Sequence, residues 1–136
     1  MDLMNSIKIA ASGMKAQGTR LRIVSENVAN AESMGTKPGD DPYRRKTITF
    51  TNVLNREFNA DMVKVDKIGR DRGDFETNYE PTHPLADENG YVKRPNVNAL
   101  IELTDMKEAQ RSYEANMSVI ESSRSMIQKT IDLLRG

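Results

Sequence analysis

Cysteine is absent from the 136 residues of this chain, and aromatic residues make up only 5% of it. Without cysteine the chain can form no disulfide and carry out no thiol chemistry. The absence of cysteine does not indicate in which cellular compartment the protein lies. Hydrophobic residues amount to 37%, which together with so few aromatics argues against a large autonomous core. We therefore expect most of the stability to come from the pairing of helices.

Charge of one sign is also lacking, because 20 basic residues balance 20 acidic ones and the formal net charge is zero. Such a chain has no strong field with which to hold nucleic acid or an anionic membrane. No apolar run approaches the roughly 20 residues that cross a bilayer, and the start lacks the order of a cleaved secretory signal, which runs from basic to apolar to small residues. We therefore expect neither nucleic acid as a partner nor direct membrane insertion.

Groups that carry out catalysis or bind metal are scarce. His83 is the single histidine, has no acid or nucleophile at motif spacing, and is expected to be a solvated loop residue. Asp87 to Gly90 resembles the turn of a calcium loop, but the acidic residues that open and close such a loop are missing, so we interpret it as a plain turn. Arg44, Arg45 and Lys46 form a basic run, expected to be a solvated or subunit-contacting loop. We expect no enzyme, no catalytic residue, no cofactor and no metal.

The last forty residues predict a long helix with a narrow apolar stripe. Between Asn96 and the final Gly136 there is neither proline nor glycine, as an uninterrupted helix requires. Counting by sevens gives Met106, Tyr113, Ile120, Ile127 and Leu134, and the companion row reads Leu103, Gln110, Met117, Arg124 and Ile131. A stripe this narrow is typical of a coiled-coil-like helix, which cannot bury the stripe without a partner.

Residues 1–31 predict a second helix of this kind, rich in small residues. Its apolar row is Ile7, Met14, Leu21 and Val28. Gly13 and Gly18 each weaken it by about 1 kcal/mol relative to alanine, while small residues let a neighbouring backbone approach closely. Asn27 and Asn30 tolerate the left-handed conformation and are expected to end the helix. We expect the two terminal helices to pair antiparallel, although periodicity alone fits an ordinary helical hairpin equally well.

The segment 32–96 predicts a small central region of short strands and loops. Residues 47–50 and 63–68 alternate as strands do and are expected to pair, while 75–79 allows a short strand. Residues 52–60 fit either a helical turn or a hairpin connection. The predicted fold is mainly α: two long terminal helices, 1–31 and 97–136, pair as an antiparallel coiled-coil-like hairpin and form one discontinuous helical domain, with a small β-rich or irregular central region.

Both ends of the chain carry segments that resemble signatures of a known family. Residues 11–14 read Ala-Ser-Gly-Met and residues 25–31 read Ser-Glu-Asn-Val-Ala-Asn-Ala, similar to the amino-terminal signature of bacterial flagellar axial proteins, the rod and hook subunits. Residues 108–116, Glu-Ala-Gln-Arg-Ser-Tyr-Glu-Ala-Asn, resemble the matching carboxy-terminal signature. The resemblance therefore covers both predicted helices.

The middle of the chain resembles the proximal-rod members of that family. The similar segments are Pro42 to Lys46, His83-Pro84 and Gly90 to Asn98. The Thr-x-Gly-Tyr that follows the first signature in the wider family is replaced here by residues 32–38, Glu-Ser-Met-Gly-Thr-Lys-Pro. This difference separates the chain from the distal-rod and hook members and leaves the structure of residues 32–42 open.

The resemblance implies a structural subunit of the proximal rod of the flagellar basal body. In such proteins the terminal helices pair into the inner tube of a helical assembly around the export channel, and the middle region projects outward. The implied partners are like subunits, other rod proteins and the flagellar export apparatus, with export to the periplasm-spanning rod without a cleaved signal. An autonomous coiled-coil adaptor or secretion chaperone is the alternative. The expected assembly-interface residues are Ile7, Met14, Leu21, Asn27, Val28, Asn30, Met106, Tyr113, Met117, Ile120, Ile127, Ile131 and Leu134.

Overall fold

The computed structural model describes residues 2–136. Its elements are helix α1 (Leu3–Ala29), strands β1 (Lys46–Asn55), β2 (Ala60–Arg70), β3 (Glu76–Tyr79) and β4 (Tyr91–Arg94), and helix α2 (Ala99–Arg135). The strands form two two-stranded sheets, β1 with β2 and β3 with β4. Two terminal helices thus flank a small central β region, as the sequence predicts. In the described part of the chain no helix has an apolar stretch sufficient to span a bilayer.

One of two compact units contains the chain up to Leu21, Ile48–Lys67 and Met106–Gly136. Within it α1 lies against α2: a Cβ placed on Gly13 would meet Nδ2 of Asn116 at 2.8 Å, and Arg20 pairs with Glu108 at 3.5 Å. Ala109 of α2 is completely buried. The absence of a side chain at Gly13 therefore lets the two helices approach closely.

Replacing Gly18 with alanine is expected to stabilise this unit. A Cβ at Gly18 has no atom within 4 Å, and alanine exceeds glycine in helix propensity by about 1 kcal/mol, so the midpoint of thermal unfolding followed by circular dichroism should rise. Gly13→Ala is the matched control, because its Cβ would meet three atoms of the Asn116 amide at 2.8, 3.1 and 3.2 Å. An equal rise for both variants would contradict the close approach at Gly13.

Strands β1 and β2 form a hairpin that resolves the choice left open for residues 52–60. Consecutive strands joined by residues 56–59 must be antiparallel, because a parallel connection needs a dozen or more residues. Glu57 N–H donates to Oδ1 of Asn55 at 3.0 Å, and Asn59 takes a left-handed φ of 46°. The segment is a hairpin connection, and both strands extend beyond the predicted 47–50 and 63–68.

The other unit consists of Arg22–Thr47 and Ile68–Asp105 and contains β3 and β4. These strands are antiparallel, with Tyr79 opposite Tyr91 and Glu76 opposite Arg94. Strand β3 agrees with the short strand that residues 75–79 allow, whereas the sequence indicates no strand at residues 91–94. Strand β4 is defined by its pairing with β3 and by burial of Val92 to 1% exposure.

The connection between β3 and β4 is held by local hydrogen bonds. Asp87 Oδ1 accepts the N–H groups of Asn89 and Tyr91 at 2.9 Å each, and Gly90 has a φ of +84°, which confirms the plain turn. His83 Nδ1 accepts the N–H of Leu85 at 3.0 Å, and the residue is half-buried. His83 therefore lies in a loop, as expected, with its ring partly shielded from solvent and serving as an acceptor within a turn.

Helix α1 ends through side-chain hydrogen bonds. Asn30 Nδ2 donates to the carbonyl of Glu26 at 2.8 Å, and Ser33 Oγ donates to Asn30 Oδ1 at 3.0 Å. Of the described non-glycine residues only Asn59 has a positive φ. The expectation that Asn27 and Asn30 end the helix by turning left-handed is wrong: Asn30 returns its amide to a carbonyl of the last turn, and Asn27 lies inside the helix.

Residues 32–42, whose structure the sequence leaves open, form a closed loop. Tyr43 N–H donates to the carbonyl of Ser33 at 2.9 Å across the base of the loop. At its tip Asp40 Oδ2 accepts both the hydroxyl of Thr36 and the N–H of Lys37 at 3.1 Å. The loop therefore returns the chain to the end of α1 immediately before the basic run begins.

Candidate assembly surface

One stripe of α2 is covered by the rest of the chain. Its buried members are Glu102, Ala109 and Ser123, and its half-buried members are Met106, Tyr113, Asn116, Ile120 and Ile127. Successive members are alternately four and three residues apart, which keeps them on one helix face. The predicted row through Met106, Tyr113, Ile120 and Ile127 lies within this stripe.

The second row of the covered stripe is shifted by one position along the sequence from the row that was predicted. The predicted row contains Leu103, Met117 and Ile131, which are 45%, 39% and 42% exposed. The covered row begins instead at Glu102 and continues through Ala109, Asn116 and Ser123. These side chains are small or polar, so a search for apolar periodicity does not find them. The offset of one residue is large in space, because it separates the two rows by a rotation of about 100° around the helix.

The apolar row that the chain leaves uncovered is the main candidate assembly surface. We call Leu103, Met117 and Ile131 the exposed flank; beside it at the end of the helix, Leu133 and Leu134 are 82% and 84% exposed. A repeated row of exposed large apolar side chains along one helix is typical of a protein–protein contact. Two of the predicted interface residues, Met117 and Ile131, lie in it, and a third, Leu134, is exposed beside it.

The predicted interface residues of α1 are less exposed than those of the flank. Ile7, Met14, Leu21, Val28 and Asn30 are half-buried, and Asn27 is only 1% exposed. On the neighbouring row Ala10 and Val24 are buried to 3% and 2% exposure. The row through Ile7 therefore borders the covered face of α1 and keeps part of its surface available.

A buried polar cluster in the second unit fixes the end of α1 and the start of α2. We call Asn27, Tyr43, Arg45, Lys46 and Glu102 the polar node. Asn27 Oδ1 accepts the hydroxyl of Tyr43 at 2.8 Å and the N–H of Lys46 at 2.9 Å; its Nδ2 donates to the carbonyl of Lys46 at 2.9 Å and to Glu102 at 3.2 Å. The amide thus makes four hydrogen bonds, which is its full capacity.

Glu102 places a carboxylate in this node at 0% exposure. Arg45 Nε donates to its Oε1, and Arg45 also lies 3.7 Å from Asp71. A buried charge is tolerated when it is paired and hydrogen-bonded, and removing one partner leaves a large desolvation penalty. The node therefore ties Asn27 in α1, the entry to β1 and Glu102 in α2 to one another within this unit.

The basic run makes contacts within this unit, so the expectation of a solvated loop is wrong, whereas the expected contact with another subunit stays a prediction. Arg44 donates to the carbonyls of Asp71 and Gly73 at 2.9 Å each, and its guanidinium carbon lies 4.2 Å from the centre of the Phe75 ring. Lys46 Nζ donates to Glu26. Their partners are far away in sequence, so nothing near the run signals its role.

Two ionisable groups of this region have shifted acidities. The hydrogen bond from Lys46 lowers the pKa of Glu26 below its usual value of 4.5. Burial raises the pKa of Tyr43 above its usual 10.0. Both shifts favour the states that the node uses, an ionised Glu26 and a neutral Tyr43 hydroxyl that donates to Asn27.

The Glu26 shift predicts acid sensitivity. Its pKa is lower in the folded state, so its contribution to stability is present above the unfolded value of about 4.5 and is lost as pH falls through the folded pKa. In urea titrations at pH 6, 4 and 3, Glu26→Gln should therefore lose less of its unfolding free energy than the unmodified chain. Glu88→Gln, in an exposed turn of the same unit, is the control and should follow the unmodified chain. Identical pH profiles for Glu26→Gln and the unmodified chain would count against the ion pair with Lys46.

Both ends of the chain match families of flagellar rod proteins. Residues 7–35 match the family described as flagella basal body rod protein, and residues 88–133 match the flagellar basal body rod FlgEFG protein C-terminal family. Flagellar basal-body rod protein FlgC of Agrobacterium fabrum is 59% identical, covering 95% of this chain and 93% of the relative. FlgC of Salmonella typhimurium is 40% identical over 98% of each chain, and FlgC of Borreliella burgdorferi is 36% identical over the full length of both.

These relatives are named as rod proteins, and none of the names describes a catalytic activity. They confirm the resemblance at both termini and give no support to an adaptor or secretion chaperone. They also place the chain with other rod components in the flagellar basal body. The chain therefore belongs to the FlgC family of flagellar basal-body rod proteins, as a structural rod subunit.

Proposed function

We propose that the chain builds the proximal rod through its terminal segments, which pair as an antiparallel coiled-coil-like hairpin. Two contacts within the first unit support this arrangement, Gly13 with Asn116 and Arg20 with Glu108. As the residue number rises along α1 it falls along α2, which is the order an antiparallel pair requires. Residues 1–31 and 97–136 then act as one discontinuous helical domain, with 32–96 as the central region between them.

The observation that carries the proposal is the exposed flank of α2. Burial of apolar surface is worth about 25 cal/mol per Å², so a neighbour that covers this row gains affinity along the length of a helix. Contacts of one surface with a different surface on the next copy generate an open helical array. Such an array is a tube that transmits torque through its subunit interfaces and encloses the export channel. Of the predicted interface residues, the exposed Met117, Ile131 and Leu134 are the ones proposed to line these contacts.

The proposed partners are like subunits, other rod proteins and the flagellar export apparatus. Passage through a narrow channel without a cleaved signal requires an unfolded chain. The absence of cysteine suits this route because no disulfide has to be broken. Gly13 and Gly18 suit it as well, since they lower the stability of α1 in the isolated chain.

The proposal is tested in a motile host whose own copy of the gene is deleted. Met117→Ser combined with Ile131→Ser removes apolar surface from the exposed flank and should leave the chain expressed but absent from purified basal bodies, with swimming lost. The control combines Glu114→Ser with Gln128→Ser, two exposed polar positions of the same helix, and should swim. Swimming by the flank variant would contradict the flank as an assembly surface.

A further inference from the structure

An apolar groove in the first unit lies between α1 and the β1–β2 hairpin, with a volume of about 600 Å³. One wall contains Ser12 and Ala16 of α1, and the other contains Leu54 and Val63 of the hairpin. Ser12 Oγ accepts the N–H of Val63 at 3.3 Å and joins the two walls. Leu54 is 54% exposed at the rim, and a volume of this size is typical of clefts that bind ligands.

The charged residues that line this groove are all basic. They are Lys15 on α1, Arg56 in the hairpin turn and Lys64 on β2, and among residues 2–136 no acidic side chain lines the groove. None of the three bases forms an ion pair with a described residue. Basic and acidic residues are equal in number in the chain as a whole, so this local excess of one sign leaves the groove with positive charge that favours an acidic ligand.

The positive charges are spread along the groove. Arg56 lies in the turn before β2, and Lys64 lies four residues beyond Ala60, where β2 begins. A strand rises about 3.3 Å per residue, so roughly 13 Å of hairpin separate these two bases, while Lys15 lies on the opposite wall. A lipid or fatty acid carries its charge at one end and meets only part of this arrangement. A peptide segment with apolar residues between two acidic ones meets all of it, at a spacing of about four residues if extended or about nine if helical.

The start of α2 does not offer free acidic residues beside its exposed apolar side chains. Within residues 99–103, which include exposed leucine and isoleucine side chains, Glu102 is completely buried in the polar node. Further along the helix, Glu108 pairs with Arg20, and Asp105 also has a partner. The acidity of this segment is therefore already used within the chain.

The row of α2 through Met117 comes nearest to the required pattern, but it is neutral. Glu114 and Glu121 lie on the same helix face as Met117, one on each side of it. Arg111 and Arg124 lie three residues further out on that face. The four charges cancel, so the groove gains little by binding this row.

The other exposed apolar residues of the helices also lack acidic flanks. Lys8 lies one turn beyond Met4 and next to Ile9 on α1. Val119 has no charged residue three or four positions away. Residues 124–135, at the end of α2, carry three basic residues against one acidic. No helix of the described chain therefore supplies the segment that the groove fits.

We infer that the groove binds an apolar segment of a different protein, with an acidic residue on each side of the apolar ones. The inference rests on the proposed assembly with other rod proteins and states the chemistry of one such contact. The apolar residues of the segment contact Leu54 and Val63, and its two acidic residues approach Arg56 and Lys64. A second copy of this chain is not the occupant.

Photo-crosslinking from the groove identifies the occupant. Leu54 is replaced by p-benzoylphenylalanine in the otherwise unmodified chain, the chain is expressed in the deletion host, and purified basal bodies are irradiated. The crosslinked products are digested, and the attached peptide is sequenced by mass spectrometry. The expected product is a peptide of another rod protein that carries acidic residues on both sides of apolar ones. The same replacement at Leu133, which is 82% exposed and does not line the groove, should not crosslink to that peptide.

Charge reversal tests the recognition of the acidic residues. Lys64→Glu should lower the yield of the Leu54 crosslink about threefold, because it places a like charge against the bound segment. Lys67→Glu is the matched control, since Lys67 is exposed on the same strand but does not line the groove, and it should leave the yield unchanged. Replacing the nearest acidic residue of the crosslinked peptide with lysine should restore the yield in the Lys64→Glu chain. Equal yields for Lys64→Glu and Lys67→Glu would overturn the contact.

The remaining outcomes separate the contact from the proposed function. A crosslink to a second copy of this chain, to a lipid or to a peptide without acidic residues overturns the contact and leaves the rod proposal intact. Absence of the unmodified chain from basal bodies overturns the rod proposal itself. If the Leu54 replacement does not assemble, the same replacement at Val53, which lines the groove and is 44% exposed, repeats the test; absence of a crosslink at both positions overturns the contact.

Discussion

Replacing Glu102 with alanine is expected to cost about 3 kcal/mol of unfolding free energy in the second unit. Truncation leaves Arg45 without its buried carboxylate and Asn27 without an acceptor for one amide hydrogen. Breaking one side of a buried ion pair is among the more costly single changes. The value is at the lower end of that range because Arg45 is 28% exposed and still lies near Asp71.

Urea titration followed by tyrosine fluorescence measures this cost. Three of the four tyrosines, Tyr43, Tyr79 and Tyr91, lie in the second unit, so the signal reports mainly on it. Glu32→Ala is the matched control in the same unit: its carboxylate pairs with Arg94 but is 85% exposed, and the change should stay within about 0.5 kcal/mol. A similarly small effect of Glu102→Ala would show that the polar node does not stabilise the unit.

The parts of the fold that the sequence predicts are those set by local periodicity. Both long helices, the pairing of the two central strands and the turn at Asp87 follow from spacing and turn chemistry within short windows. The covered row through Met106 and Ile120 also follows, because its members are large and apolar and repeat every seven residues.

The remaining features depend on partners that are distant in sequence. Glu102 is recognised as a core residue only when Arg45 and Asn27 are known to surround it; taken alone, it is one more charge on a charged helix. Residues 91–94 become a strand because β3 lies beside them. The predicted interface residues of both helices form a further class, since exposure in one chain identifies an available surface and not the molecule that covers it.

The polar node fixes the register of the structural elements that it joins. Apolar stripes tolerate sliding by one heptad, because each turn offers a similar surface to its partner. A fully satisfied set of hydrogen bonds around one asparagine has no equivalent seven residues away, so it specifies one register of the elements it joins. In a subunit that bears torque, such a lock keeps the helix ends in place while the apolar rows supply contact area.

Replacing Ile120 with aspartate is expected to abolish swimming. Ile120 is half-buried in the covered stripe of α2 in the first unit, and a carboxylate there must either be desolvated without a partner or separate the helix from its neighbours. The cost is about 2 kcal/mol or more in the single chain, and it is repeated in every subunit of an assembly.

Two controls isolate the cause of that loss. Ile120→Leu keeps the volume and apolar character of the side chain and should swim, since such exchanges cost less than about 1.5 kcal/mol. Ser122→Asp places the same charge on an exposed position of the same helix turn and tests charge without burial. Normal swimming of Ile120→Asp would show that the stripe through Ile120 is dispensable for assembly, whereas failure of Ser122→Asp as well would show that the outer face of α2 is also covered in the rod.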